Sequence, residues 1–189
     1  MNIKDEIGVI GIDDAPFDKN DKEAILIGTY CRGNRIIDGI YFKRIKRDGM
    51  DSTEKIIEMV MGKHKTKINV IFLDGVTFGG FNITNLYEVN EKTGIPVVAV
   101  IDRMPNRQKM MDALKKHFDD YEERISLLKS FPEPENIEGI YVQYVGIKRE
   151  LLNLIIKKTR LKSKIPECLR ISHLIGRGFL DLITERNEG

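Results

Sequence analysis

The sequence predicts an α/β domain built on a mixed sheet. A three-strand antiparallel meander is followed by βα units, with helices on both faces and a C-terminal helical extension. Three observations lead there. Apolar runs at 7–13, 68–74 and 95–102 each end in an acid, Asp13, Asp74 and Asp102, and each has the length of a buried strand. A Gly33-Asn34 pair joins two strand-like segments, 24–32 and 35–45, and both residue types accept the positive φ of a tight hairpin. Segments of helical period separate the later strands.

Taken in order, residues 7–13 form the first strand. Asp14-Ala15-Pro16-Phe17 then turn the chain, because proline cannot donate to a central ladder. Residues 24–32 and 35–45 complete the meander. Asp48-Gly49-Met50-Asp51-Ser52-Thr53 lead into a helix capped by Asp51 or Ser52, with Ile56, Ile57, Met59 and Val60 on its apolar face. Residues 68–73 are the next buried strand, and 75–81 read as a flexible glycine-rich loop. A helix at 84–92 ends near Gly94, a residue suited to a left-handed cap, and 95–101 is a third central strand. Met104-Pro105 break the chain before helices at 106–118 and 121–130, and Phe131-Pro132-Glu133-Pro134 interrupt it again. A β-branched and aromatic strand at 139–145 and a helix at 148–158 follow. Pro166 opens a terminal helix at 167–184.

A meander feeding βα units is the ribonuclease H-like order, not the pure βαβ repeat of a dinucleotide-binding fold. With no internal repeat, residues 1–189 read as a single domain. Hydrophobic residues at 41% and charged residues at 32% exclude a disordered chain. No apolar stretch approaches the roughly 20 residues that span a bilayer, so no membrane partner is expected. Cys31 and Cys168 lie far apart and read as free thiols in a reducing compartment; with no apolar signal region at the start, the expected location is cytoplasmic. A net charge of +2 does not by itself announce a nucleic-acid partner. Two local clusters do more: Lys43, Arg44, Lys46 and Arg47, then Lys157, Lys158, Arg160, Lys162 and Lys164. Each is either a solvated face or a phosphate-binding patch.

Ligands of open α/β sheets gather beyond the carboxyl ends of the strands. Asp13 and Asp74 are therefore expected to converge in one cleft as catalytic residues and as ligands of Mg²⁺ or Mn²⁺, since crowded carboxylates repel until a hard cation relieves them. Asp102 is the third candidate metal ligand, and the plainer reading there is that Arg103 simply pairs with a neighbour. Strand-end aspartates also cap turns, so capping is the alternative for all three. Asp14, Thr77, Phe78, Asn82, Arg103 and Arg170 are the candidate substrate contacts, Phe78 by stacking on a base or else by packing in the core. Arg170 and His173 are three apart and share a helix face. Arg170 would hold a phosphate, and His173 would position water or protonate a leaving group. His64 and His117 sit among lysines and read as surface residues. Leu73-Asp74-Gly75-Val76-Thr77 looks like a haloacid dehalogenase signature, but Phe72 stands where that family keeps its nucleophilic aspartate. The Gly33-Asn34 hairpin argues against the all-parallel receiver sheet, and the loop at 75–81 lacks the Gly-Lys-Ser/Thr ending of a P-loop.

Four stretches carry a resemblance: Ile10-Gly11-Ile12-Asp13-Asp14-Ala15-Pro16-Phe17, Asp48-Gly49-Met50-Asp51-Ser52-Thr53, Leu73-Asp74-Gly75-Val76-Thr77-Phe78-Gly79-Gly80-Phe81-Asn82, and Ile165-Pro166-Glu167-Cys168-Leu169-Arg170-Ile171-Ser172-His173. Together they resemble an uncharacterised, mainly archaeal family that is distantly similar to endonuclease V, a Mg²⁺ enzyme with a ribonuclease H-like fold that cuts near deaminated bases. The resemblance implies that Asp13 is the first-strand metal aspartate and Asp74 the Asp-Gly one. It also marks departures. Tyr41-Phe42-Lys43-Arg44-Ile45 lacks the third-strand glutamate of endonuclease V, and Arg35-Ile36-Ile37-Asp38-Gly39 lacks its wedge. Ile101-Asp102-Arg103 lacks its catalytic lysine, and Asp48 or Asp102 is left to replace the missing acid.

The expected function is a divalent-metal-dependent nuclease or related phosphodiesterase acting on DNA or RNA. Lys43 or Arg44 would join Arg170 on phosphates. A catalytically silent nucleic-acid-binding module on the same fold is the alternative.

Overall fold

The computed structural model of the chain describes residues 5–18, 20–62, 65–101, 104 and 106–187. The meander is β1 (Gly8–Asp14), β2 (Glu23–Arg32) and β3 (Ile36–Lys46). Helix α1 (Ser52–Val60) leads to β4 (Val70–Asp74), and a miniature hairpin, β5 (Thr77–Phe78) and β6 (Asn82–Ile83), leads to α2 (Leu86–Thr93). Then come β7 (Val97–Ile101), α3 (Arg107–His117), α4 (Tyr121–Ser130), β8 (Glu135–Ile137), β9 (Ile140–Val145), α5 (Arg149–Thr159) and α6 (Glu167–Asn187).

One mixed sheet has the order β3-β2-β1-β4-β7-β9-β8. The β1–β4 and β4–β7 pairs are parallel, and the remaining neighbours are antiparallel. The ribonuclease H-like α/β expectation holds: a meander, then βα units, then helices on both faces. The glycine-rich segment is more ordered than expected, since β5 and β6 pair through Thr77–Ile83 and Phe78–Asn82. β8, which the proline-rich stretch concealed, edges the sheet.

Side chains alternate across a strand, so each strand feeds two cores. Ile10, Ile12, Ile71, Leu73, Val97 and Ala99 pack under α1 and α2. Val9, Val70, Phe72, Val98 and Val100 pack under α5 and α6. The period of two carries past the apolar run. Asp13, in phase with Val9 and Gly11, emerges on the α6 face, and Asp14 emerges on the other. Asp74, in phase with Val70 and Phe72, emerges on the α6 face beside Asp13, because Ile12 and Leu73 are register partners.

Helix α6 lies directly on β1. A Cβ on Gly11 would stand 2.4 Å from the Cys168 carbonyl carbon and from the Leu169 nitrogen, so only glycine permits the approach. Buried Ser172 donates its hydroxyl to Gly11 O at 2.8 Å and is 2.8 Å from Thr29 Oγ1. One residue further round the helix, His173 is turned toward the strand end.

Candidate metal centre

Asp13 is 4% exposed at the end of β1. Its Oδ1 accepts the Asp14 N–H at 2.8 Å, and its Oδ2 lies 3.1 Å from His173 Nδ1. The His173 side chain is 55% exposed. Ligand atoms of Asp13, Asp74 and His173 all lie within 4.8 Å of one another, the one such group among the described residues. Burial, and next the charge of Asp74, push the Asp13 carboxyl up from 3.8 to about 7, against the Asp14 N–H and His173, which favour the anion. Two carboxylates and an imidazole, one oxygen ligand buried beside its neighbour's charge, are a donor set that suits a divalent cation.

The sign of that shift makes a prediction. A proton would compete with a cation held by Asp13, so Mn²⁺ affinity there should fall about tenfold per pH unit below about 7 and level off above it. Calorimetric titrations between pH 6 and 8 read the slope; a flat profile contradicts a cation on Asp13. The same shift destabilises the metal-free fold progressively as pH rises from about 4 to 7, because ionising a carboxylate with a raised folded pKa costs stability.

Asp14 turns the other way. Its Oδ2 accepts the Gly79 N–H at 2.7 Å, and burial raises its pKa despite that bond. It therefore anchors the β5–β6 hairpin beside the site. Asp48, at φ 54, accepts the Phe81 N–H on Oδ1 at 2.9 Å and pairs with Arg47. It holds the same hairpin from the opposite side and stands outside the Asp13 group. Asp51 receives the Lys46 N–H and the Asn82 amide instead of capping α1 with its side chain.

Phe78 and Asn82 correct the expectation of substrate contact. Both are fully buried and have no surface to offer a ligand. The Asn82 amide donates to Lys46 O at 2.8 Å and accepts the Ser52 N–H at 3.0 Å, tying β3, α1 and β6 together. Thr77 remains at the surface of a cavity of about 190 Å³ that starts immediately after Asp74; Gly75, Thr77, Met110, Met111, Phe131 and Gln143 are among its walls.

Arg170 donates Nε–H to Glu167 Oε1 at 2.8 Å and is neutralised along its own helix. Arg177, one turn beyond His173, is exposed; sequence reasoning did not single it out, although its i, i+4 spacing places it on the His173 face. Lys43 pairs with Glu58 of α1, and Arg44 with Glu23. In the second basic cluster, Lys157 and Arg160 both pair with Glu138. This cluster sits at the far end of the sheet, where Asn34 of the β2–β3 turn donates to Arg160 O. His117 is exposed at the end of α3. Asp102, Arg103 and His64 lie outside the described residues.

The departures from endonuclease V also have locations. Through Ile27, the β3 residue in register with Asp13 is Phe42, and its ring meets Phe179 of α6 edge-on at 5.5 Å. Ile36 aligns through Arg32 with Gly8 and Gly39 through Tyr30 with Ile10, so the segment runs from about 17 Å to about 10 Å of strand from Asp13. Sequence reasoning also missed Arg124, which is buried and donates to Asp48 O, Gly49 O and Phe81 O. A lone arginine in a helix with little apolar periodicity gives no sequence sign of such a clamp.

Solved structures place this architecture. The chain superposes on endonuclease V of Ciona intestinalis, solved in complex with inosine-containing DNA, with a TM-score of 0.61 at 14% identity over 93% of this chain and 87% of that one. The catalytic domain of human endonuclease V gives 0.59 at 13% identity over 94% and 84%. The fold is thus that of endonuclease V. The chain belongs to the family described as Endonuclease dU, whose model matches residues 5–180. A UPF0215 protein of Methanocaldococcus jannaschii is 67% identical over 95% of this chain and 98% of its own length. A protein of unknown function from Archaeoglobus fulgidus has a solved structure that matches with a TM-score of 0.83 at 33% identity, over 89% of this chain and 95% of that one.

Proposed function

We propose that this protein is a divalent-metal-dependent endonuclease that cuts DNA at deoxyuridine, working in a reducing cytoplasm. The observation that carries the reading is the Asp13–Asp74–His173 group at the carboxyl ends of adjacent parallel strands. The family description supplies the nucleotide, and the endonuclease V fold supports a nucleic-acid substrate.

Asp13 and Asp74 would hold Mg²⁺ or Mn²⁺ with one carboxylate oxygen each. His173, exposed on the solvent side of Asp13, would complete the ligand set or orient the water that attacks phosphorus. When bound, the cation supplies Lewis-acid polarisation of the scissile phosphate and charge neutralisation. Asp14 acts through Gly79, fixing the hairpin that borders the site, and Arg177 would receive a flanking phosphate. Asp102 and Arg103 remain proposed as a third ligand and a phosphate contact.

No helix among the described residues is long and apolar enough to cross a membrane. On this reading, a single-stranded or duplex oligonucleotide with one deoxyuridine is cut in Mg²⁺ or Mn²⁺ and is left intact in chelator, while the deoxycytidine control survives. Binding that persists in chelator, with no strand cleavage in any metal, would favour the silent binding module and sink the nuclease.

A further inference from the structure

The cavity beside Asp74 is lined mainly by apolar side chains, with methionines from α3 and Phe131 from the end of α4, and has Arg107 and Lys129 in its wall. Its wall begins at Gly75, one residue and about 3.8 Å of Cα trace from a proposed metal ligand. Gly75 has φ 83, and a Cβ there would meet nothing within 4 Å, so the backbone itself faces open space. A mainly apolar cavity next to the proposed metal centre has the chemistry of a nucleobase site, since a nucleotide's base stands one sugar away from its phosphate.

Gln143 is a polar side chain of this wall that is itself buried. It sits on β9, in register with Ala99 of β7, and is 5% exposed. Its amide nitrogen donates to Pro132 O at 2.5 Å. A carbonyl can only accept, so this contact fixes which end of the amide is NH₂. Among the described residues that bond engages the NH₂ end alone, and Oε1 is the acceptor end of a residue that lines the cavity.

We propose that Gln143 is a specificity-determining residue that accepts the ring N–H of an extruded base, an inference that rests on the endonuclease reading above. Uracil carries a hydrogen on N3, where cytosine carries a lone pair. Deamination therefore turns a repulsive contact with Oε1 into a hydrogen bond. A buried acceptor left facing a lone pair is the arrangement that discriminates most strongly between otherwise similar ligands. Thymine carries the same N3–H, so Gln143 separates imide from amino bases and does not itself reject the thymine methyl.

The test uses single-turnover cleavage, in Mg²⁺, of oligonucleotides carrying one deoxyuridine or one N3-methyldeoxyuridine. N3-methylation is expected to slow wild type roughly 10- to 100-fold. Gln143→Ala should cut both substrates at similar, reduced rates, because it has lost the acceptor and gained room for the methyl. A residue that only holds Pro132 in place would slow both substrates in parallel and keep the wild-type ratio, which overturns the proposal. So does a wild type indifferent to the methyl group. Gln143→Met, which preserves volume, carries the same expected ratio should the alanine variant not fold. A wild type that neither cuts nor binds either oligonucleotide defeats the endonuclease reading itself, and this inference with it.

Discussion

Asp74→Asn is expected to lower metal-dependent strand cleavage by on the order of 10³-fold or more, with little change in the fold. Asp74 is at the surface end of β4 and outside both cores, so the substitution removes a charge without removing packing. The amide keeps the shape of the carboxylate and lacks the anionic oxygen that a hard cation requires. The variant also withdraws the charge that helps raise Asp13, whose pKa should fall toward the ordinary carboxylate range. Strand-cleavage rates with far-ultraviolet circular dichroism distinguish a lost site from a lost fold. Full activity in a folded Asp74→Asn protein would remove Asp74 from the chemistry.

Gly11→Ala should cost about 3 kcal/mol of stability, more than most single-methyl additions, and should uncouple His173 from Asp13. The atoms a Cβ would meet are backbone atoms of Cys168 and Leu169, at 2.4 Å, and backbone cannot rotate aside. Relief requires α6 to rise off β1, which breaks the Ser172 bond to Gly11 O and moves the helix that carries His173. Urea unfolding measures the first effect, and weakened Mn²⁺ binding in the surviving folded fraction measures the second. A neutral Gly11→Ala would mean that α6 is not held where the site needs it.

Much of this was legible in the sequence because one rule governs it. Apolar runs of strand length ending in acid place Asp13 and Asp74 at strand ends, and the period of two then puts them on one face. The hairpin at Gly33-Asn34 and the terminal helix follow from equally local chemistry. The failures share a cause as well. Phe78, Asn82 and Asp48 look like ligand-binding residues, and Asp51 like a helix cap, because glycines and polar residues crowd there. Their hydrogen bonds close instead on one another and on β3, between residues some 30 positions apart. Arg170 was legible as a helix-face cation, but not its capture by Glu167 three residues earlier. Gln143 lay in a strand where alternation predicts only burial, and its place beside a cavity depends on α3 and α4.

The account stands most directly on titration of Mn²⁺ into wild-type protein and Asp13→Asn by calorimetry at pH 7.5 and low salt, with and without a deoxyuridine oligonucleotide. It predicts a saturable site in wild type that disappears in a folded Asp13→Asn protein. Equal binding by the two proteins, or none by wild type even with oligonucleotide present, would contradict a metal centre at Asp13, Asp74 and His173.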